Sequence, residues 1–300
     1  MKKKIGFIGL GVMGLPMCRN LLKAGYPVVA YDIRDEITKA IAKDGAEVGT
    51  SASDVAGKVD VMITVLPDGP DVKDVVLGPK GLLEGARPGS ILIDMSSISP
   101  TVSKEVAEAA KAKGVRMLDA PVIGGEPGAI SGALSIMVGG SKSDFDECLD
   151  MLKVMGKSVV RVGDIGAGNT TKLCNQIIVA ANIAAVGEAF TLISKAGLDP
   201  EVVFDAIRGG LAGSSVMDAK VPLITKRNFK PGFRISLHSK DLANALSAGR
   251  DLQVPLPLTS LMQQILEALK VDGKGDLDHS AIATFFEGLA GVTIEPPCKK

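Results

Sequence analysis

The chain has 300 residues, enough for one large or two ordinary domains, and 46% of them are hydrophobic, so a sizeable core is available. Tryptophan is absent and aromatic residues make up only 3%, so that core must be aliphatic and alanine-rich. Basic and acidic residues balance to a formal net charge of zero, which leaves no basic surplus for pairing with phosphate backbones and argues against a nucleic-acid partner.

The run Lys2–Lys4 passes straight into an apolar strand, Lys4–Ile8, where a secretory signal would need an apolar h-region and a small-residue cleavage site. A cytoplasmic protein is therefore expected. The strand is followed by Gly9-Leu10-Gly11-Val12-Met13-Gly14, and then by helical spacing over Leu15–Ala24 ending at Gly25. Strand, glycine loop and helix come in the order of a dinucleotide-binding unit. In that reading Gly9 makes the tight turn, Gly11 admits a pyrophosphate to the backbone and Gly14 lets the helix pack on the strand. The N–H groups of the helix start, at Val12 and Met13, then face the pyrophosphate charge. A second strand, Pro27–Tyr31, ends in Asp32, about 20 residues on, where an acid accepts the ribose hydroxyls of NAD. Asp32 would repel the extra phosphate of NADP, whereas Arg34 would meet it. A preference for NADH is expected, with NADPH use possible.

Further strands are read at Val59–Leu66, ending in Pro67, and at Ser90–Asp94, Val115–Asp119, Leu134–Val138 and Ser158–Val162. Helical patterns such as Pro100–Lys113 and Lys142–Met155 lie between them. This alternation predicts an α/β fold, a Rossmann-type doubly wound and mostly parallel sheet covered by helices. Ligands of such sheets bind beyond the C-terminal strand ends. That rule selects Leu66-Pro67, Met95-Ser96-Ser97 and Asp119-Ala120-Pro121.

Gly163–Gly168 is a glycine-rich joint, and no clear strand follows it. Asn169–Ala196 reads as one long helix, and helices follow from Asp199-Pro200, at Ser214–Lys226, Ser236–Asp251, Leu258–Val271 and His279–Leu289. Two domains are expected: a dinucleotide-binding domain over 1–163 and an all-α substrate and oligomerisation domain over 164–300, built on the long helix. The apolar stretch Ile177–Ile193 is short for a membrane span and is interrupted by Asn182 and Glu188. A buried or subunit-contacting helix is the better reading, which points to a homodimer or homotetramer rather than a membrane protein. The tail Glu295–Lys300 is expected to be loose. Cys18, Cys148, Cys174 and Cys298 show no paired spacing, so free thiols are expected, and two histidines are too few for a zinc cluster.

Three stretches carry candidate chemistry. Asp119-Ala-Pro-Val-Ile-Gly-Gly-Glu-Pro-Gly-Ala129 follows a strand end; the N–H groups at Gly124-Gly125 would hold a substrate carboxylate, or the stretch is an ordinary tight turn. Lys172 and Asn175 or Gln176 are three or four positions apart, hence on one helix face. A lysine enclosed beside a cofactor there would suit general acid–base work; the alternative is a surface lysine early in a helix. Lys240-Asp241 is either a functional pair or a solvated helix start.

Read together, Gly9–Gly14, Asp94-Met-Ser-Ser97, Asp119–Ala129 with Met137-Val-Gly-Gly140, Gly166–Asn175 and Lys240-Asp-Leu242 fall in one order that resembles the β-hydroxyacid dehydrogenase family across nearly the whole chain. Within it, Ile207-Arg-Gly-Gly-Leu-Ala-Gly-Ser214, Asn228–Arg234, Lys240–Leu246, Asp278-His-Ser-Ala281 and Glu126-Pro127 look most like the tartronate semialdehyde reductases. The resemblance implies NAD(P)H-dependent, reversible reduction of tartronate semialdehyde (2-hydroxy-3-oxopropionate) to D-glycerate, with 3-hydroxyisobutyrate or succinic semialdehyde as sister substrates. A nucleotide-sensing module is the non-enzyme alternative. By the same resemblance Lys172 is the general acid/base. Asn175 orients the substrate with Gln176 beside it, and Ile123, Gly124 and Gly125 form the substrate loop. Ser96 lies by the nicotinamide, Lys240 reaches the cofactor from the second domain, and Phe233 packs nearby, so the active site is expected between the domains; Leu66 and Pro67, selected by the strand-end rule, join the cofactor set. Two positions depart from the family pattern: Ile123 stands where serine is usual and Ala133 where threonine is common.

Overall fold

The computed structural model describes residues 2–296, and the chain divides into two compact units, Met1–Lys172 and Leu173–Lys300. The expected loose tail from Glu295 onward runs past the described residues, and Cys298 lies outside them.

The first unit runs β1 (Ile5–Ile8), α1 (Gly14–Lys23), β2 (Val28–Tyr31), α2 (Asp35–Lys43), β3 (Glu47–Val48), α3 (Ala52–Gly57), β4 (Val61–Thr64), α4 (Gly69–Leu77), α5 (Leu82–Gly85), β5 (Ile91–Asp94), α6 (Pro100–Ala112), β6 (Arg116–Asp119), β7 (Val122–Ile123), α7 (Gly125–Ser131), β8 (Leu134–Gly139), α8 (Lys142–Met155) and β9 (Gly156–Gly163). The sheet order is β3-β2-β1-β4-β5-β6-β8-β7, with β9 beside β8. The first six strands are parallel; β8 runs antiparallel to β6 and β7, and β9 runs parallel to β8. Strands such as Val61–Thr64 and Ile91–Asp94 are buried at every position, as a sheet covered on both faces requires. One face packs Phe7, Met17, Leu21 and Ile93 beneath α1 and α8; the other packs Met62, Val72, Leu92 and Val106 beneath α3 to α6. The doubly wound, mostly parallel sheet is the predicted one. Helices α2, α3, α4, α5 and α7 occupy connections with no readable helical period, because each has nine residues or fewer.

The break between the units falls within α9 (Ala167–Lys195). After it come α10 (Pro200–Ile207), α11 (Ser215–Thr225), α12 (Ile235–Asp251), α13 (Pro257–Val271), a 3-10 turn at His279–Ile282 and α14 (Ala283–Ala290). The helix expected from His279 thus opens as a 3-10 turn, with the Asp278 carboxylate accepting from the Ser280 N–H at 3.0 Å. By length and its mean hydropathy of 1.8, α9 is apolar enough to cross a membrane. In the fold its Ala180, Ile183 and Ala184 pack with Leu242, Leu266 and Ile282, and its Val186 and Phe190 with Phe204, Val221 and Ile224. Cys18 and Cys148 are buried, Cys174 is exposed, and all three thiols are free.

Candidate active site

The turn from β1 to α1 is shaped by close backbone approach. Gly9 has φ +90°, and a Cβ there would lie 2.3 Å from the Val65 carbonyl oxygen; one on Gly14 would lie 2.0 Å from the Gly9 carbonyl oxygen. Gly11 differs, since a Cβ on it would meet nothing within 4 Å. The protein's own packing does not require that glycine, whereas a group pressed against the loop backbone would. Helix α1 starts without a side-chain cap at Met13, and Val12 is exposed at the loop tip, so no side chain competes for the positive helix end.

Asp32, just past the end of β2, is held on both oxygens. The Leu10 N–H donates to Oδ2 at 2.7 Å, and the Arg34 N–H and Nε donate to Oδ1 at 3.0 and 2.9 Å. Nη2 of Arg34 completes a bidentate pair on Oδ2 at 3.0 Å. Burial pushes this carboxyl up, but the donors from Arg34 and Leu10 outweigh it and hold the group below its ordinary value. An ionised acid, an open glycine and an uncapped helix start together fit a dinucleotide.

At the ends of β4 and β5 a hydroxyl network surrounds Asp94. Thr64 Oγ1 and Ser96 Oγ donate to Asp94 Oδ1 at 2.8 and 2.6 Å, and Ser96 Oγ accepts from the Leu66 N–H at 2.9 Å. Ser96 therefore has its proton committed and one lone pair spare, so it would act on a ligand as an acceptor. Asp94 Oδ2 is buried with no hydrogen-bond partner among the described residues. Burial pushes the Asp94 carboxyl up to about 6 against its hydroxyl donors, and the charge of Asp119, its register partner on β6, adds to the rise. An unfolded aspartate titrates near ~3.9, so the folded state keeps a proton that the unfolded chain has released. Stability should thus fall as the pH rises from about 4 to about 6, by roughly 3 kcal/mol from this group, and change no further above that. Urea melts across this interval check it: Asp94→Asn should flatten the slope, and an equal slope in both proteins would overturn the assignment.

Asp119 ends β6, where the strand-end rule places a crevice residue. Its carboxylate instead faces the start of α9, where Oδ1 accepts from the Gly166 N–H at 2.7 Å and Oδ2 from the Asn169 N–H at 2.8 Å. Asn169 continues the anchor: its Oδ1 accepts from the Ile98 N–H at 3.0 Å and its Nδ2 donates to Ser103 Oγ at 3.0 Å. The approach is so close that a Cβ on Gly168 would lie 2.5 Å from the Met137 carbonyl oxygen. Lys172 follows three residues after Asn169 and is only 8% exposed, which excludes the surface-lysine reading.

The stretch after Asp119 is more ordered than an open turn. Val122 and Ile123 form β7, paired with Ser135 and Ile136 of β8, Gly124 has φ +133°, and Gly125 opens α7. Ile123 is half-buried, and Gly124 and Gly125 are exposed.

In the second unit, Asn175 and Gln176 of α9 join α12. Asn175 Nδ2 donates to Gln176 Oε1 at 2.8 Å, Gln176 Nε2 donates to Asp241 Oδ2 at 2.7 Å, and Lys240 Nζ lies 3.1 Å from Asp241 Oδ1. Lys240-Asp241 is thus not a solvated helix start: it lies inside α12, and Asp241 is buried. Phe233 meets the rings of His238 and His279 edge-on, at 5.7 and 5.4 Å between centroids.

The sequence did not point to Asn169, to the hydroxyl network around Asp94, to the anchoring role of Asp119 or to the contact of Asp241 with Gln176. A signal was present, since Asp94 and Asp119 each end an apolar strand run, and a carboxylate there must find donors.

Residues 4–163 match the family model described as the NAD binding domain of 6-phosphogluconate dehydrogenase. Residues 166–286 match the one described as NAD-binding of NADP-dependent 3-hydroxyisobutyrate dehydrogenase. The chain is 41% identical over 287 residues to 2-hydroxy-3-oxopropionate reductase of Escherichia coli strain K12, covering 96% of this chain and 98% of that protein. It is 40% identical over 292 residues to 2-(hydroxymethyl)glutarate dehydrogenase of Eubacterium barkeri, with 97% of each covered. Among solved structures, 3-hydroxyisobutyrate dehydrogenase of Mycobacterium tuberculosis with L-serine superposes at a TM-score of 0.89 and 35% identity, covering 95% of this chain and 99% of that one.

Proposed function

Because this chain belongs to the β-hydroxyacid dehydrogenase family and is an NAD(P)-dependent oxidoreductase, we propose that it reduces tartronate semialdehyde to D-glycerate, reversibly. The observation that carries the chemistry is a buried lysine, Lys172, on a helix whose start is pinned by a buried carboxylate. Three and four positions on, one helical turn along, Asn175 and Gln176 supply amides for the substrate. The 41% identity to the Escherichia coli reductase is consistent with this substrate, and the motifs Ile207–Ser214 and Lys240–Leu246 look like those of the tartronate semialdehyde reductases.

A nicotinamide held in this site would supply the hydride in reduction and accept it in oxidation. Lys172 gives its proton to the carbonyl oxygen of the aldehyde and takes it back in the reverse direction. As negative charge grows on that oxygen, the positive charge of the lysine, itself only 8% exposed, stabilises it. Asn175, Gln176 and the N–H groups at Gly124 and Gly125 orient the acid, with Ile123 against it. Gly9, Gly11, Val12, Met13 and Gly14 would hold the pyrophosphate. Leu66, Pro67, Ser96, Phe233 and Lys240 complete the cofactor set.

Ile123 favours a second reading. Isoleucine cannot donate a hydrogen bond, so a substrate with more apolar surface gains there, such as 3-hydroxyisobutyrate, succinic semialdehyde or a 2-(hydroxymethyl) diacid of the kind the Eubacterium relative is named for. NADH oxidation with this panel separates the readings. Fastest turnover of tartronate semialdehyde supports the first, another aldehyde moves the assignment to a sister activity, and tight NADH binding without any turnover leaves a nucleotide-sensing module.

NADH is the preferred cofactor in this reading, because ionised Asp32 accepts ribose hydroxyls and repels a phosphate. Asp32→Ser should lower kcat/KM for NADH by about tenfold or more, the worth of a charge-assisted hydrogen bond. With Arg34 released from its partner, NADPH should lose less or gain. Equal losses with both cofactors would count against this role. The reading includes a cytoplasmic homodimer or homotetramer, which the exposed Ile178 and Leu192 of α9 support.

A further inference from the structure

Asp241 is buried on α12, and its two oxygens do different work. Oδ2 accepts from Gln176 Nε2 at 2.7 Å. Oδ1 accepts no aligned hydrogen bond among the described residues and lies 3.1 Å from the Lys240 ammonium, a Coulombic contact. An ionised carboxylate can only accept, so the face of Gln176 turned to Asp241 must be its NH2. The Gln176 carbonyl is thereby turned to Asn175, and Asn175 must offer its own NH2 in return, as it does at 2.8 Å. One buried charge therefore decides which way two successive amides point. The backbone of Gln176 is gripped by the same helix, since its carbonyl oxygen lies 3.1 Å from His238 Nε2, three residues before Asp241.

We infer that Asp241 is a positioning residue of the substrate site: it sets the polarity of the Gln176–Asn175 pair, so that Asn175 presents its carbonyl oxygen as an acceptor. This rests on the assignment of Asn175 and Gln176 to the substrate. A neutral amide pair without the carboxylate could flip between two arrangements of similar energy, and a substrate would meet the wrong one part of the time.

The test is a set of three variants with steady-state kinetics and thermal melts. Asp241→Leu removes the acceptor and should lower kcat/KM for the semialdehyde by about tenfold or more, mostly through KM. Asp241→Asn can still turn its carbonyl to Gln176 and should stay within about threefold of wild type in KM for the semialdehyde. Gln176→Glu sets two carboxylates against each other and should raise KM as Asp241→Leu does. The double variant Gln176→Glu/Asp241→Asn reverses the donor and acceptor, keeps an acceptor facing Asn175, and should recover most of that loss. An unchanged KM in Asp241→Leu, or a double variant no better than Gln176→Glu, overturns the inference. A second readout needs no turnover: the side-chain amide protons of Gln176 and Asn175 should exchange slowly with solvent in wild type and fast in Asp241→Leu. Unaltered exchange overturns the inference whatever the substrate proves to be, whereas altered exchange in a protein that reduces no semialdehyde supports it and rejects the functional reading alone.

Discussion

Lys172→Ala should reduce the preferred semialdehyde at least about 10²-fold more slowly than wild type, the usual worth of a positioned general acid. Burying a lysine costs desolvation that alanine would avoid, and alanine is also the better helix former. At 8% exposure in the second turn of α9, the lysine sits where helix propensity alone would favour alanine. The loss should appear in kcat and kcat/KM alike, because the proton is transferred only as the transition state forms. NADH affinity, measured by fluorescence titration, should stay within about threefold, and the melting temperature should not drop. Lys172→Arg should fare little better, since a guanidinium holds its proton too firmly to pass it on. A variant that keeps wild-type turnover would remove Lys172 from the chemistry and bring a different proton donor into question.

Asp119→Ala should destabilise the first unit by about 3–5 kcal/mol, because it strands two buried N–H donors. The N–H groups of Gly166 and Asn169 lose their acceptor where the backbone is packed too closely for a side chain on Gly168. For a chain of this size that corresponds to a fall of roughly 10 °C in melting temperature, readable by calorimetry. Turnover should drop as well, since Lys172 lies only three residues beyond the second anchored N–H. Asp119→Asn keeps one acceptor but turns an NH2 toward the other donor, so it should fall between wild type and alanine. A stable and active Asp119→Ala protein would show that the tight backbone packing alone fixes the helix start.

The two variants separate chemistry from scaffold. Lys172→Ala removes a group from an intact helix, whereas Asp119→Ala loosens the helix and leaves the group. Loss of activity without loss of stability marks the first kind of role, and loss of both marks the second.

Much of the fold is readable along the chain because it rests on short-range regularities. A strand buried on both faces is a continuous apolar run, and Val61–Thr64 and Ile91–Asp94 appear as such. The glycine spacing from Gly9 to Gly14 is dictated by backbone contacts within one turn, and the long helix by a sustained apolar composition. The family resemblance follows from the same motifs, because each carries its constraint within a few residues. Contacts between residues far apart are not legible in this way. The antiparallel direction of β8 leaves no mark on its own sequence, because a buried strand looks alike either way. The short helices α2 to α5 and α7 complete too few turns to show a period. The partners of the buried carboxylates are the least readable: Asp119 meets Gly166 across 47 positions, and Asp241 meets Gln176 across 65. A buried charge must find donors, so acids closing apolar strand runs already require partners. Which donors they meet depends on where the folded backbone brings other segments, and that is decided by packing at long range.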